Sequence, residues 1–179
     1  MATRIEQDIR TWSAQVLEVP NPHLKGLPAC PYARKAWKED KVLVLETDDV
    51  GSLADQYCQS FNDHNKDLII VATFNIPDID DFNEYIEEYL NVKYPELHCM
   101  GFHPDYGAEE AELDFLLEND WDSKVQEDYC MIFIQDLKQV VEASDKLIPL
   151  GYYDAYPKDE YEALVTQRKR RYLNGNETP

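Results

Sequence analysis

The sequence predicts an α+β protein: a ferredoxin-like sandwich of at least four strands with helices packed mainly on one face and extra helices at the two ends. Two observations carry that prediction. Short apolar runs rich in β-branched residues occur at 41–47, 67–74, 97–102 and 129–134, and stripes of helical spacing separate them, giving the order β-α-β-α-β-α-β-α. A doubly wound parallel sheet is the alternative. No internal repeat, low-complexity block or linker interrupts the chain, so one domain over 1–179 is expected, with an N-terminal helix at 3–18, a core at 40–148 and a C-terminal helix at 158–174.

The elements follow in order. Ile5, Ile9, Trp12, Val16 and Leu17 form a helical stripe behind Thr3, an N-cap with Glu6 at the capping-box position. Pro20 and Pro22 stop that helix. Pro31 suits a first helical position, which would put Cys30 at or beside an N-cap, where the helix dipole, Arg34 and Lys35 would lower its thiol pKa. The plain alternative is a small apolar group buried in a turn. The run at 67–74 barely alternates, as in strands covered on both faces. Between it and the first run, Leu53, Tyr57, Cys58 and Phe61 mark a helix, with Cys58 in the core and His64 solvated near its end. After Pro77 and Asp78, Ile79, Phe82, Ile86 and Leu90 mark a third helix, its outer side lined by Asp80, Asp81, Glu84, Glu87 and Glu88, read as a solvated face. A short acidic helix and loop are expected within 105–128, which holds ten acids against Lys124 alone. Asp136 caps the helix of Leu137, Val140 and Val141, and the last helix carries the basic run Arg168-Lys169-Arg170-Arg171.

A net charge of −19, from 36 acids and 17 bases, argues against nucleic acid and anionic lipid as partners. An apolar fraction of 44% with 12 Tyr, 6 Phe and 3 Trp is that of a globular chain, not a disordered one. No run is long and apolar enough to span a bilayer, so a soluble protein without membrane contact is expected. Cys30, Cys58, Cys99 and Cys130 lack CxxC spacing and no leader precedes them, which reads as reduced thiols in a cytoplasmic protein.

The chain contains none of the glycine-rich, zinc-site or serine-elbow motifs of the easily recognised nucleotide, metal and hydrolase classes. What remains is Cys30 in its proline-flanked turn and the segment Leu97 to Gly107, where an apolar strand ends in His103, Pro104, Asp105 and Tyr106. His98 and His103 differ in strand parity and should face opposite ways; Cys99 and His103 share parity but would lie about 13 Å apart on a regular strand, too far for one ion.

Leu27-Pro28-Ala29-Cys30-Pro31-Tyr32-Ala33 and Gly101-Phe102-His103-Pro104-Asp105-Tyr106 together resemble an uncharacterised bacterial family of similar length. That family is marked by Leu-Cys-Pro-Phe-Ala near the start and Phe-His-Pro-Asp-Tyr in the middle. Ala29, Tyr32 and Gly107 depart from its pattern, so the chain resembles a divergent member. The resemblance implies that Cys30 and His103 form one motif pair and assigns no activity.

Three readings stay open. A thiol-dependent enzyme would use Cys30 as nucleophile, His103 as base and Asp105 to orient the imidazole, with Arg34 and Tyr106 holding a small-molecule substrate. A non-catalytic interaction module would offer the acidic face from 78 to 128 to a basic protein partner, or the Arg168 to Arg171 helix to an acidic one. A mononuclear metal site at Cys30 and His103 is the third; no other cofactor is expected. Against all three stands a purely structural role, His103 and Asp105 satisfying backbone groups in a tight turn with Cys30 packed beneath.

Overall fold

The computed structural model describes residues 1–107 and 128–176. Thr3 opens α1 (Arg4–Trp12) by accepting a hydrogen bond from the Glu6 N–H, and the helix runs on through a wider turn, Ser13–Leu17, burying Ile5, Ile9, Trp12 and Val16. A short α2 (Ala33–Lys38) leads into β1 (Val42–Glu46). The capped helix α3 (Val50–Gln59) then crosses to β2 (Leu68–Thr73). Asp78 caps α4 (Ile79–Glu84), which widens over Tyr85–Leu90 and closes in α5 (Asn91–Lys93) before β3 (Leu97–Phe102). β4 (Cys130–Asp136) passes directly into α6 (Leu137–Leu147), capped by Asp136. The C-terminal helix comprises α7 (Lys158–Tyr161), a wider stretch Glu162–Gln167, and α8 (Arg168–Asn176). The acidic helix expected between 105 and 128 falls almost wholly outside the described residues.

The α+β class, the four-stranded sheet and the added terminal helices are all present. The strand order is β1-β2-β4-β3, with β1 and β2 parallel and β4 antiparallel to both of its neighbours. β1, β2 and β3 therefore point the same way and end at the same edge. β2 and β3 are split by β4 as in a ferredoxin-like unit, whereas β1 and β2 are direct neighbours, and there the arrangement departs from the ferredoxin-like detail.

Helices also cover both sheet faces rather than mainly one. Ile69, Val71, Cys99, Ile132 and Ile134 pack under Ala54 and Cys58 of α3 and under Phe82, Ile86 and Leu90. Ile70, Ala72, Met131 and Phe133 pack under Ile5, Ile9, Trp12 and Val16. The cause is in the strands: Ile69, Ile70, Val71 and Ala72 are consecutive and buried, and an apolar run without alternation needs cover on both sides.

Among the described residues, side chains and not a further strand bond to the outer edge of β3. The Asn91 side chain accepts from the Cys99 N–H at 2.8 Å and donates to its carbonyl at 3.0 Å, while Arg171 donates to the Leu97 carbonyl.

Candidate functional site

Where β1 and β2 end together, the loops that follow them frame an open cleft of about 380 Å³. Asp48 and Asp49 follow β1, Asn75 and Pro77 follow β2, and Val50, Gly51 and Ser52 form the first turn of α3. Asp81, Phe82 and Tyr85 enter from α4 and its continuation. Crevices outside the carboxyl ends of strands are the usual place for ligands in sheets containing parallel strands.

Local bonds fix the walls. Asn75 donates from its side chain to the Asp48 carbonyl at 3.2 Å and from its backbone to Thr73 Oγ1 at 3.0 Å, tying the ends of β1 and β2 together. The Tyr85 hydroxyl donates to the Gly51 carbonyl at 2.9 Å, so its ring bridges α3 and the α4 continuation. Burial is the chief reason its phenol is pushed up to about 12, with the Asp55 charge adding to the effect, so it stays a neutral donor. Asp49 Oδ1 accepts from the Ser52 N–H at 2.9 Å. Among the described residues three carboxylates and no cation line the cleft, and its walls are mainly apolar.

His103 stands behind this cleft rather than in it. Its ring is 3% exposed and packs against Phe82 and Tyr106, with centroids at 5.6 and 5.7 Å. The Asp105 backbone N–H can only donate, so Nδ1, at 3.1 Å, accepts. The proton therefore sits on Nε2, which donates to the Pro77 carbonyl at 2.9 Å. Pro77 lines the cleft, and His103 fixes that wall. Both ring nitrogens are spent on backbone groups. Asp105 Oδ2 lies 3.8 Å from Nδ1, which carries no proton to share, so this carboxylate does not orient a general base. Tyr106 donates its hydroxyl to Asn83 Oδ1.

Cys30 and Arg34 lie elsewhere. Cys30 follows α1, its N–H bonded at 2.9 Å to the carbonyl of Leu17, which packs in the layer on the other face of the sheet. α2 starts at Ala33 with Tyr32 at its N-cap, later than Pro31 suggested. Burial pushes the Cys30 thiol up; amide hydrogens of Tyr32 and Ala33 pull the other way without prevailing, and the Glu18 charge adds to the rise. The lowered thiol pKa expected from the sequence is thereby corrected: desolvation outweighs the helix start. Arg34 is exposed and spans to Glu18, Nε to Oε2 at 3.2 Å. The structure brings His103, Asp105 and Tyr106 together and leaves Cys30 and Arg34 apart from them.

Arg168 and Arg171 of the basic run are partly buried, and Lys169 and Arg170 form ion pairs on the surface. Arg168 approaches the Met100 sulfur at 3.8 Å, Lys169 pairs with Asp145 at 2.8 Å and Arg170 with Glu162 at 3.7 Å. With Arg171 on the β3 edge, all four cations are engaged within the chain. His98 lies beside Arg168 and Arg171, and its ring nitrogens have no hydrogen-bond partner among the described residues.

Asp48, Asp49 and Asp81 were not singled out by motif, and Asp81 reads in sequence as part of a solvated face. The signal that could have found them is the β-α-β unit itself, whose strand ends predict a crevice at 47–49 and 74–78. Among the described residues no group of three or more His, Cys, Asp or Glu side chains is gathered for a metal ion. No family model, curated protein or solved structure matches the chain.

Proposed function

We propose that the chain is a non-catalytic acidic interaction module whose cleft receives a lysine or arginine side chain from a basic protein partner. One observation carries this reading: Asp48, Asp49 and Asp81 line a cleft walled by Val50, Pro77, Phe82 and Tyr85, and no cation lines it among the described residues. A long cationic side chain meets both demands, laying its methylene stem on apolar walls while the charged end reaches carboxylates and the aromatic faces. The net charge of −19 draws a basic partner in from a distance. Ile76, exposed between the lining residues Asn75 and Pro77, adds apolar contact beside the cleft.

Two features favour this reading over thiol catalysis on a small molecule or a metal at Cys30 and His103. Cys30 is bonded to Leu17, which packs on one sheet face, while His103 packs against Phe82 of the other, and both imidazole nitrogens are bonded to backbone groups. Free cysteines are consistent with a reducing, cytoplasmic setting. Kinship with the bacterial family marked by the two motifs belongs to the same proposal, the Phe-His-Pro-Asp-Tyr segment serving as the strut behind the cleft.

Calorimetric titration of the full chain with a lysine- and arginine-rich peptide tests the reading. Binding should weaken steeply as salt is raised, and Asp48→Asn and Asp81→Asn should each weaken it roughly threefold. Asp63→Asn, near the opposite end of α3, should leave it unchanged. Binding that all three substitutions alter equally, or none alters, would overturn the proposal.

A further inference from the structure

Two thiols from distant parts of the chain meet in the core. Cys58 stands on the buried side of α3 and Cys99 in β3, and their Sγ atoms are 3.6 Å apart. That is van der Waals contact for two sulfurs, and a bond of about 2.0 Å needs only a modest further approach. Cys99 cannot supply the movement, because Asn91 clasps both its N–H and its carbonyl and Ile134 pairs it within the sheet. Cys58 can, since it rides on α3.

The hold on α3 is specific. Asp55, just before Cys58 on α3, accepts from Lys93 Nζ at 2.8 and 3.0 Å and from the Tyr94 hydroxyl at 2.8 Å. Burial alone would raise this carboxyl, but the hydrogen bonds from Lys93 and Tyr94 hold it below its ordinary value. The carboxylate therefore stays ionised and acts as a latch between α3 and the end of the α4–α5 segment. With the latch closed both thiols are sealed, Cys58 at 3% and Cys99 at 1% exposure.

We propose that Cys58 and Cys99 are a latent reversible disulfide, a modification site that closes when a hydroperoxide reaches the pair through opening of α3 at the Asp55 latch. In the first step the Cys58 sulfur attacks the distal oxygen of hydrogen peroxide. The O–O bond breaks, a sulfenic acid forms, and the thiol proton leaves with the other oxygen as water. In the second step the Cys99 sulfur attacks the sulfenic sulfur, the S–S bond forms and the S–O bond breaks. A second water leaves with the Cys99 proton, so two thiols have been oxidised and one peroxide reduced. The product ties α3 to the edge strand across a 41-residue separation. The claim does not depend on what the cleft binds.

The experiment treats the reduced full-length chain with hydrogen peroxide, blocks remaining thiols with N-ethylmaleimide in denaturant, and maps the peptides by mass. A linked pair of Cys58 and Cys99 peptides, lighter by two hydrogens and separated again by dithiothreitol, is expected. The melting temperature should rise by roughly 5–10 °C. Asp55→Asn should speed linkage roughly fivefold by opening the latch. Cys30→Ser should leave the linked pair intact, and Cys58→Ser or Cys99→Ser should abolish it. Oxidation confined to Cys30 or Cys130, with Cys58 and Cys99 both taking maleimide in the wild type and in Asp55→Asn, would overturn the proposal.

Discussion

Gly101→Val is expected to destabilise the fold by about 3 kcal/mol, and Gly101→Ala by about 1–2 kcal/mol. Gly101 lies in β3 on the face covered by α4, and a Cβ built there would stand 2.6 Å from both Phe82 Cε1 and Ile86 Cδ1. Neither neighbour has room to retreat, because Phe82 is 3% and Ile86 2% exposed in a packed core. A β-branched residue ordinarily favours a strand, so the sign of the effect separates crowding from propensity. Urea denaturation of both variants checks it. Ile86→Ala added to Gly101→Ala should recover part of the loss, since the two changes share one volume. The crowded position is also what brings Phe82, a wall of the cleft, close to the end of β3.

Stability should fall as pH drops below 6.5, and His98→Leu should remove that dependence. Burial chiefly, and then the charges of Arg168 and Arg171, hold the His98 imidazole well below its ordinary 6.5. In the folded chain it stays neutral, whereas the unfolded chain takes up a proton near 6.5. The stabilising contribution is complete above that value and is lost as pH falls from it toward the folded value, at up to about 1.4 kcal/mol per pH unit. The groups facing the ring are cations, so no neighbour offsets its protonation. Since its nitrogens have no partners, leucine should be neutral or stabilising at pH 7. Denaturation midpoints of both proteins should lie close together at pH 7.5 and diverge toward pH 5.5, where the wild type falls and His98→Leu does not.

Much of the fold was legible because it is local. The four strands follow their β-branched runs, and Thr3 and Asp136 cap helices where the sequence placed them. Strand order was not legible, because it depends on β4 inserting between β2 and β3 and no local pattern encodes that pairing. Even so, the unbroken apolar run from Leu68 to Ala72 already contained the reason for cover on both faces.

The candidate site divides in the same way. The strand-to-loop transition at His103 was evident, but the partner that decides its role, the Pro77 carbonyl, lies 26 positions away. An imidazole beside an aspartate suggests a base held by a carboxylate; here the aspartate supplies its backbone N–H instead. Cys30 was misjudged in its chemistry because desolvation in the folded chain outweighs the amide hydrogens of Tyr32 and Ala33, whereas the helix-start argument used sequence neighbours only. The acids of the cleft look in sequence like a cap and a solvated stripe, and only the shared strand edge collects them.

The claim that His103 is a strut for the cleft, and not half of a reactive pair, is tested most directly by long-range ¹H–¹⁵N NMR of its ring at neutral pH. The proton should reside on Nε2, with Nδ1 showing the shift of an unprotonated acceptor, because Pro77 and the Asp105 amide fix that tautomer. A proton found on Nδ1 and directed at the Asp105 carboxylate would contradict the account.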